Sequence, residues 1–343
     1  MKLFKSFIIK LPIIKTKVYN LTLTIMKKTI LLTSALLMLV ACSKDDATTI
    51  NDDNSSKLAS RHCASQDVLD KQLLENPDLA KRMEMFETLT ERAISEGRLV
   101  NGQIEIPVVV NVLYKTAAEN ISLSQIQSQI DILNEDFNAQ NSDFNQVPSA
   151  FSGVKANVGV TFVLDAVYRK STNKKSWGTN DAMKKTSTGG LNPTSPTTKL
   201  NLWVCTIGGG ILGYAQFPGG SSSTDGVVID SRYLGDTGTA TAPFNKGRTA
   251  THEVGHWMNL RHIWGDTTCG TDYVNDTPTH NTANYGIPTY PHYSTCSGNP
   301  IEMTMNYMDY TDDAGMYMFS NDQKSRMLAI FSTGGPRVSF AQP

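Results

Sequence analysis

Apolar positions fall into distinct periods along the chain. Over residues 66–98, Val68, Leu73, Leu74, Leu79, Met83 and Met85 recur among many charges, which predicts helix until Asn101-Gly102 breaks the pattern. From Ile104 to Tyr114 the text is β-rich and predicts a strand, with Pro107 marking an edge or a strand start. Ile126, Ile130, Leu133 and Phe137 fall at i, i+4, i+7 and i+11, an amphipathic helix with Ser124 as its expected N-cap. Further strands are expected at Val158–Tyr168, Leu200–Ile207 and Gly226–Asp230. Asn245 to Leu260 reads as a second long helical stretch. A loop-rich stretch, Gly265 to Tyr293, follows, and a last helix is expected near Asn321–Ile330. No internal repeat is visible. Strands mixed with two principal helices predict an α/β or α+β fold, the second helix packed on the sheet.

The N-terminus has a different pattern. Met26-Lys27-Lys28 forms a short basic region ahead of an uncharged apolar stretch, Ile30 to Ala41. That length suits an export signal and is too short to span a bilayer. The stretch ends Leu39-Val40-Ala41-Cys42, which resembles a bacterial lipobox, in which Cys42 is lipidated and becomes the mature N-terminus. The alternative is an ordinary cleaved signal peptide. Residues 1–25 hold five lysines and no acid and read as an over-called start, or else as a longer basic region. Ser43-Lys44-Asp45-Asp46 resembles the surface-export signal of Bacteroidetes lipoproteins; the alternative is a plain charged tether. Residues 43–60 are polar and read as a leash.

Composition narrows the classes. At 343 residues the chain holds one large or two small domains, taking about 150 residues per domain. Forty per cent hydrophobic and 18% charged residues make it globular rather than disordered. A net charge of −1 argues against nucleic-acid binding, which wants a basic surplus. Five cysteines are too few for a disulfide-dense mini-protein. No apolar run approaches the roughly 20 residues of a membrane span.

The chemistry concentrates in His252-Glu253-Val254-Gly255-His256-Trp257-Met258-Asn259-Leu260-Arg261-His262. On a helix His252 and His256 lie on one face, about 40° apart, and both imidazoles reach one Zn²⁺. Glu253, next to the first ligand, is placed to act on a water rather than on the metal. His262 would lie about 15 Å further along an unbroken helix than His252, so the chain must turn back before it. The residue at the turn is Asn259. The zinc pattern HExxHxxGxxH has glycine there, in a left-handed conformation that asparagine tolerates next best. An independent piece lies downstream: Asn306-Tyr307-Met308-Asp309-Tyr310 has the form of a Met-turn, with Met308 as a soft floor under the ligands.

These motifs resemble the metzincins, and within them the pappalysin family, the group that includes ulilysin. The resemblance covers about residues 104–335. It also takes in Ile106-Pro107-Val108-Val109-Val110, Leu202-Trp203-Val204 and Gly208 to Pro218. It implies a twisted mixed sheet with two long helices in an N-terminal subdomain. A loop-rich C-terminal subdomain would carry the Met-turn and a C-terminal helix. The cleft would cross the zinc, with the strand near Gly213–Phe217 as its rim, binding substrate as an added strand. The implied activity is zinc-dependent endopeptidase, with Glu253 as proton acceptor and Tyr310 as a stabiliser of the oxyanion. By the same resemblance Cys269 and Cys296 form a disulfide, and Asp272, Val274 and Thr277 bind a structural Ca²⁺. Asp313 floors the pocket beside the scissile bond, which implies cleavage before Arg, with Lys weaker. Arg61-His62-Cys63-Ala64-Ser65 resembles the Arg-Cys element of pappalysin pro-segments. There Cys63 would ligate the zinc of a latent form and Arg61 would anchor on a carboxylate. Cys205 is expected to be a buried small hydrophobe.

The expected organisation is therefore a signal region over 1–41, a tether and pro-segment over 42–100, and a metzincin catalytic domain over 101–343. Release is expected after a basic residue between Arg92 and Arg98. The expected protein is an exported, latent zinc endopeptidase acting on proteins or peptides. It would be held at the outer membrane by its lipid, facing the cell surface, or released by processing. The end at Pro343 is expected to leave no room for a C-terminal sorting domain. Two rivals are a non-catalytic surface lipoprotein, an adhesin or binding module on a metzincin scaffold, and a zincin of another clan. Glu253 argues against the first, and the Met-turn with the third histidine against the second.

Overall fold

The computed structural model describes residues 60–99 and 104–341. The leader, with Cys42, lies outside the described residues. The chain begins with two helices, α1 (Ser65–Glu75) and α2 (Pro77–Ser95). The expected single helix over 66–98 is thus two. Pro77 cannot donate the backbone bond that would carry α1 onward, and it becomes the first residue of α2 instead.

Next come β1 (Ile104–Tyr114), α3 (Leu123–Phe137) and β2 (Val160–Ser171). They are followed by β3 (Leu200–Cys205), β4 (Gly213–Ala215) and β5 (Val227–Asp230). The sheet order is β2-β1-β3-β5-β4. All pairings are parallel except that of β4, which runs antiparallel to β5 at the sheet edge. β1 is therefore an inner strand. Pro107 is tolerated in it because pairing with β3 starts only at Val108, so at Pro107 β1 has a neighbour on one side alone.

The N-cap of α3 is Ser122, not Ser124. Ser122 is extended (φ −69°, ψ 161°), and its hydroxyl accepts from the Gln125 amide at 3.1 Å. Ser124 already lies in the first turn. Ile126, Ile130, Leu133 and Phe137 pack with Ile106, Val108, Val110 and Val112 in one apolar core. That core continues through Ala250, Val254 and Trp257 of α4 (Arg248–Trp257). The opposite face of the sheet is covered by Trp177 and Met183, and by Ala64 and Val68 of the N-terminal segment.

α4 is shorter than expected at both ends. Gly247, at φ 69°, precedes it, and the Asp313 carboxylate accepts from the Lys246 and Arg248 amides at 2.7 and 3.3 Å, which fixes the start. The long chain from Gly265 to Ser320 then leads to α5 (Asn321–Ala329), closed by a capping box of Ser320 and Gln323. The mixed sheet, the helices on it and the loop-rich second half are the architecture expected of the fold class.

Candidate active site

α4 presents His252 and His256 one turn apart. Its last turn ends at Trp257, and Asn259 takes the left-handed conformation at φ 76°. The chain reverses there. Leu260 donates to the Gly255 carbonyl at 2.9 Å, and His262 comes back to the other two. The His256 Nε2 lies 3.1 Å from that of His252 and 3.0 Å from that of His262.

Each ring is fixed from behind by its Nδ1. His252 faces the Tyr307 carbonyl at 2.7 Å, His256 the Leu260 carbonyl at 2.8 Å, and His262 the Asp266 carboxylate at 2.5 Å. Donating Nδ1–H to these acceptors leaves every Nε2 lone pair aimed at one point. Burial, then the neighbouring imidazoles, hold His252 and His256 well below the usual histidine range, so these rings stay neutral. Three buried imidazoles converging within hydrogen-bond distance fit three of the four positions of a tetrahedral Zn²⁺. The Cys63 sulfur lies with the three histidines, all four ligand atoms within 4.8 Å of one another.

Met308 is fully buried beneath α4. A Cβ on Gly255 would meet its sulfur at 2.5 Å, so glycine at this helix position admits the thioether. The turn that carries Met308 is braced from α5. Asn306 and Gln323 exchange side-chain hydrogen bonds of 2.8 and 3.0 Å, and Asn306 Oδ1 accepts from the Met308 amide at 2.9 Å.

Glu253 is fully enclosed, and burial pushes its carboxyl up to about 7, against the lowering effect of the Ser65 and Cys63 hydrogen bonds. Its Oε2 accepts from the Ser65 hydroxyl at 2.7 Å and from the Cys63 thiol at 3.4 Å. Burial, then the Glu253 carboxylate, push the Cys63 thiol up. Tyr310 donates its hydroxyl to the Cys63 carbonyl at 3.1 Å, and its ring packs on His262 at 4.9 Å.

The segment around Cys63 lies along the edge of β4. Leu212 donates to the His62 carbonyl at 2.9 Å, Ala64 to the Gly213 carbonyl at 3.1 Å, and Ala215 to the Ser65 hydroxyl at 2.8 Å. Cys63 and Gly213 form a parallel bridge. On one side of the histidines the Arg61 side chain enters a closed pocket. There it meets Asp313 Oδ1 at 2.5 Å, the Thr311 carbonyl at 3.1 Å and the Thr249 hydroxyl at 3.3 Å, and lies over the Phe244 ring at 4.9 Å.

Comparison with known proteins agrees with this geometry. A profile of the peptidase M43 family, described as pregnancy-associated plasma protein-A, matches residues 204–332. Extracellular metalloprotease 1 of Coccidioides posadasii is 32% identical over 267 residues, covering 72% of this chain and 86% of its own. The chain belongs to the peptidase M43, or pappalysin, family. It is a zinc metalloendopeptidase. Among solved structures, promirolysin of Tannerella forsythia, in a mutant form, is 39% identical with a TM-score of 0.75, covering 82% of this chain and 97% of that one. Mature mirolysin of the same organism, in complex with a cleaved peptide, is 42% identical with a TM-score of 0.68, covering 71% and 97%.

The remaining sites of this pappalysin lie outside the zinc cluster. Cys269 and Cys296 form a disulfide, Cα atoms 5.8 Å apart, while Cys63 and Cys205 are free and buried. Asp272, Val274 and Thr277 come together in one turn. The Thr277 hydroxyl reaches Asp272 Oδ2 at 2.9 Å and the Val274 carbonyl at 3.3 Å. Burial pushes Asp272 up to about 6.

Several residues of the site escaped the sequence reading. Ser65 bridges Glu253 and β4, and no local signal marks it. Trp264 stacks on His262 at 4.4 Å and 8°. Asp266 carries a usable signal, since it lies four residues after the third histidine and holds that histidine's Nδ1.

Proposed function

We propose that this chain is an exported zymogen of a zinc endopeptidase that cuts on the N-terminal side of Arg and, more weakly, Lys. One observation carries the reading: the N-terminal segment puts Arg61 on Asp313 and Cys63 among the three histidines, as a single extended piece on the cleft rim.

His252, His256 and His262 would hold the zinc. Bound there, zinc supplies Lewis-acid polarisation of the scissile carbonyl and lowers the pKa of a water. Glu253 takes a proton from the attacking water and passes it to the leaving amine. Tyr310, whose hydroxyl donates to the Cys63 carbonyl and whose ring packs on His262, is suited to donate to the developing oxyanion. β4 supplies edge amides and carbonyls to an extended substrate.

In the precursor the Cys63 thiolate would take the fourth zinc position, a soft ligand where water is needed. Residues 42–100 form the tether and pro-segment and 101–343 the catalytic domain, with release after Arg92 or Arg98. Both arginine side chains are 61% exposed, which supports access by a protease. The pro-form of mirolysin covering more of this chain than the mature form supports the same division. The Asp272 carboxylate, Val274 carbonyl and Thr277 hydroxyl supply oxygens suited to a structural Ca²⁺. Relatives named as extracellular metalloproteases support export. Lipidation of Cys42 at the outer membrane is the anchor read from the sequence.

The test is a peptide-library cleavage profile of the processed protein with and without chelator. The expected profile has Arg after the cut bond and vanishes with the metal. Undiminished cleavage in chelator, or no cleavage at all, contradicts the reading.

A further inference from the structure

Arg261 stands beside the zinc ligand His262. Its Cζ lies over the Phe217 ring at 4.6 Å, and that ring packs on the zinc ligand His256 with centroids 5.3 Å apart. One nitrogen, Nη1, donates to the Gln66 side-chain carbonyl at 3.3 Å. Its Nε is shut off from water and has no hydrogen-bond partner among the described residues. The group that meets this guanidinium is thus an amide, not a carboxylate. The Gln66 amide passes its own donor on to Asp70 at 2.7 Å.

Gln66 belongs to the pro-segment. That segment runs from Arg61 on Asp313, over the histidines at Cys63, to Gln66 on Arg261. Asp313 and Arg261 therefore flank the metal site on opposite sides.

A second guanidinium is close by. Arg326 lies near enough for its charge to act on Arg261, and its Cζ lies over the Tyr273 ring at 5.5 Å. It donates to both carboxylate oxygens of Glu87, at 2.5 and 2.6 Å. Glu87 is in α2, so it too belongs to the pro-segment. Leu69 and Leu79 of the same segment cover Phe217. A cavity of about 960 Å³ already lies between α1, α2 and Arg261.

Removal of the pro-segment takes away Gln66, Glu87 and the apolar cover together. Two guanidiniums on two aromatic faces remain: Arg261 loses its amide partner and keeps only the more distant charge of Asp266, and Arg326 loses Glu87 and keeps the Asn259 carbonyl, to which its Nε donates at 2.8 Å. A partly desolvated guanidinium on a ring favours a carboxylate, which it binds through two parallel hydrogen bonds. Glu87 on Arg326 already has that form.

We infer that Arg261 and Arg326 form a subsite of the mature enzyme that selects Glu or Asp within the few residues before the scissile bond. The inference rests on Asp313 taking the residue after that bond, which puts the preceding residues on the Arg261 side.

The test uses the full chain after removal of its pro-segment by its own activity or by trypsin. Peptides carry Arg after the scissile bond and Glu, Gln or Lys at each of the three preceding positions. At one of them Glu is expected to give a kcat/KM about tenfold above Gln, the size of one charge-assisted hydrogen bond, with Lys below Gln. The Glu-to-Gln ratio is expected to fall to near one in Arg261→Gln and to return in part in Arg261→Lys. A ratio near one in the wild type, or one unchanged in Arg261→Gln, overturns the inference. Cleavage that does not fall before Arg refutes the Asp313 reading instead, and the ratio at the bonds actually cut still decides this one. Should Arg261→Gln fail to fold, the intact precursor gives a second readout. Gln66→Glu puts a carboxylate on Arg261 and is expected to slow self-activation severalfold, whereas Gln66→Lys speeds it. Equal rates for the two variants overturn the inference.

Discussion

Arg61 and Asp313 lie 252 residues apart in the chain and meet at 2.5 Å, with neither side chain open to solvent. A buried carboxylate that already holds a guanidinium is suited to a second one from the substrate. The other carboxylate oxygen accepts from the Lys246 and Arg248 amides, so Asp313 also starts the zinc helix. Asp313→Asn keeps an acceptor for those amides and loses the charge. It is expected to lower kcat/KM for Arg-directed peptides by about 30-fold or more, the scale for truncating one side of a buried charge pair. The same peptide library on both proteins measures it. An Arg preference untouched by the substitution would reject the pocket.

Glu253→Gln keeps the size of the side chain, and in the precursor an acceptor for the Ser65 hydroxyl, and removes the base. Turnover is expected to fall about 10²- to 10⁴-fold, the share that positioned proton transfer contributes. Zinc content by atomic absorption is expected to stay at one per chain. Near-full turnover in a clean preparation would remove Glu253 from the mechanism.

Cys63→Ala frees the position among the three histidines and the thiol's contact with Glu253. The variant precursor is expected to be active, or to process itself, without added protease. X-ray absorption of the zinc-loaded wild-type precursor is expected to show one sulfur ligand at about 2.3 Å. A silent variant together with a spectrum lacking sulfur would rule out the switch.

The zinc motif was legible in the sequence because its geometry is local. Two histidines one turn apart and a left-handed Asn259 are properties of eleven consecutive residues. Asp313 and Cys63 were legible only through resemblance, since their partners lie far away in the chain. Ser65 and Arg261 were not legible as site residues at all. A serine between an alanine and a glutamine carries no periodic signal, and its role comes from meeting Glu253 188 residues later. The break at Pro77 went unread because apolar spacing carries on through it in α2. The cap at Ser122 was displaced by two residues because Ser122 and Ser124 offer the same hydroxyl, and only the backbone angle chooses between them.

Stability carries a pH signature from α3. Asp136 is buried between Arg248, the Thr251 hydroxyl at 2.6 Å and the Tyr307 hydroxyl at 2.9 Å, and burial pushes it up to about 7. A carboxyl that holds its proton more tightly when folded than when unfolded stabilises the fold at low pH. That contribution is lost as pH rises through the folded value, so the window runs from about pH 4 to about pH 7. Thermal denaturation of the precursor is expected to show Tm falling across this window, and Asp136→Asn to make that fall shallower, the buried Glu253 and Asp272 carboxyls supplying the rest. Parallel curves for the two proteins would contradict the assignment.

The Cys269–Cys296 bond closes a loop with a sequence separation of 27. The chain-entropy relation gives it about 3.5 kcal/mol of stabilisation. Cys296→Ser, paired with Cys269→Ser to leave no lone thiol, is expected to lower the urea midpoint by that amount divided by the m-value. A midpoint within experimental error of the wild type would show the loop to be held by its other contacts.

Under the proposed zymogen reading, direction along β4 has a consequence for how a precursor would survive its own active site. The segment that carries Arg61 and Cys63 lies parallel to β4, with Arg61 before Cys63 in the chain. A substrate whose Arg followed the cut bond and filled the same pocket would run the opposite way, antiparallel to β4. The two chains thus share side-chain sockets while their amide bonds have reversed polarity. In the Arg61–Cys63 segment the carbonyl carbon and the nitrogen of each amide change places relative to Glu253 and Tyr310. A decoy mounted backwards would fill the cleft tightly while presenting its amide bonds in the wrong sense, so that a pro-segment bound this way would be protected from cleavage at Cys63.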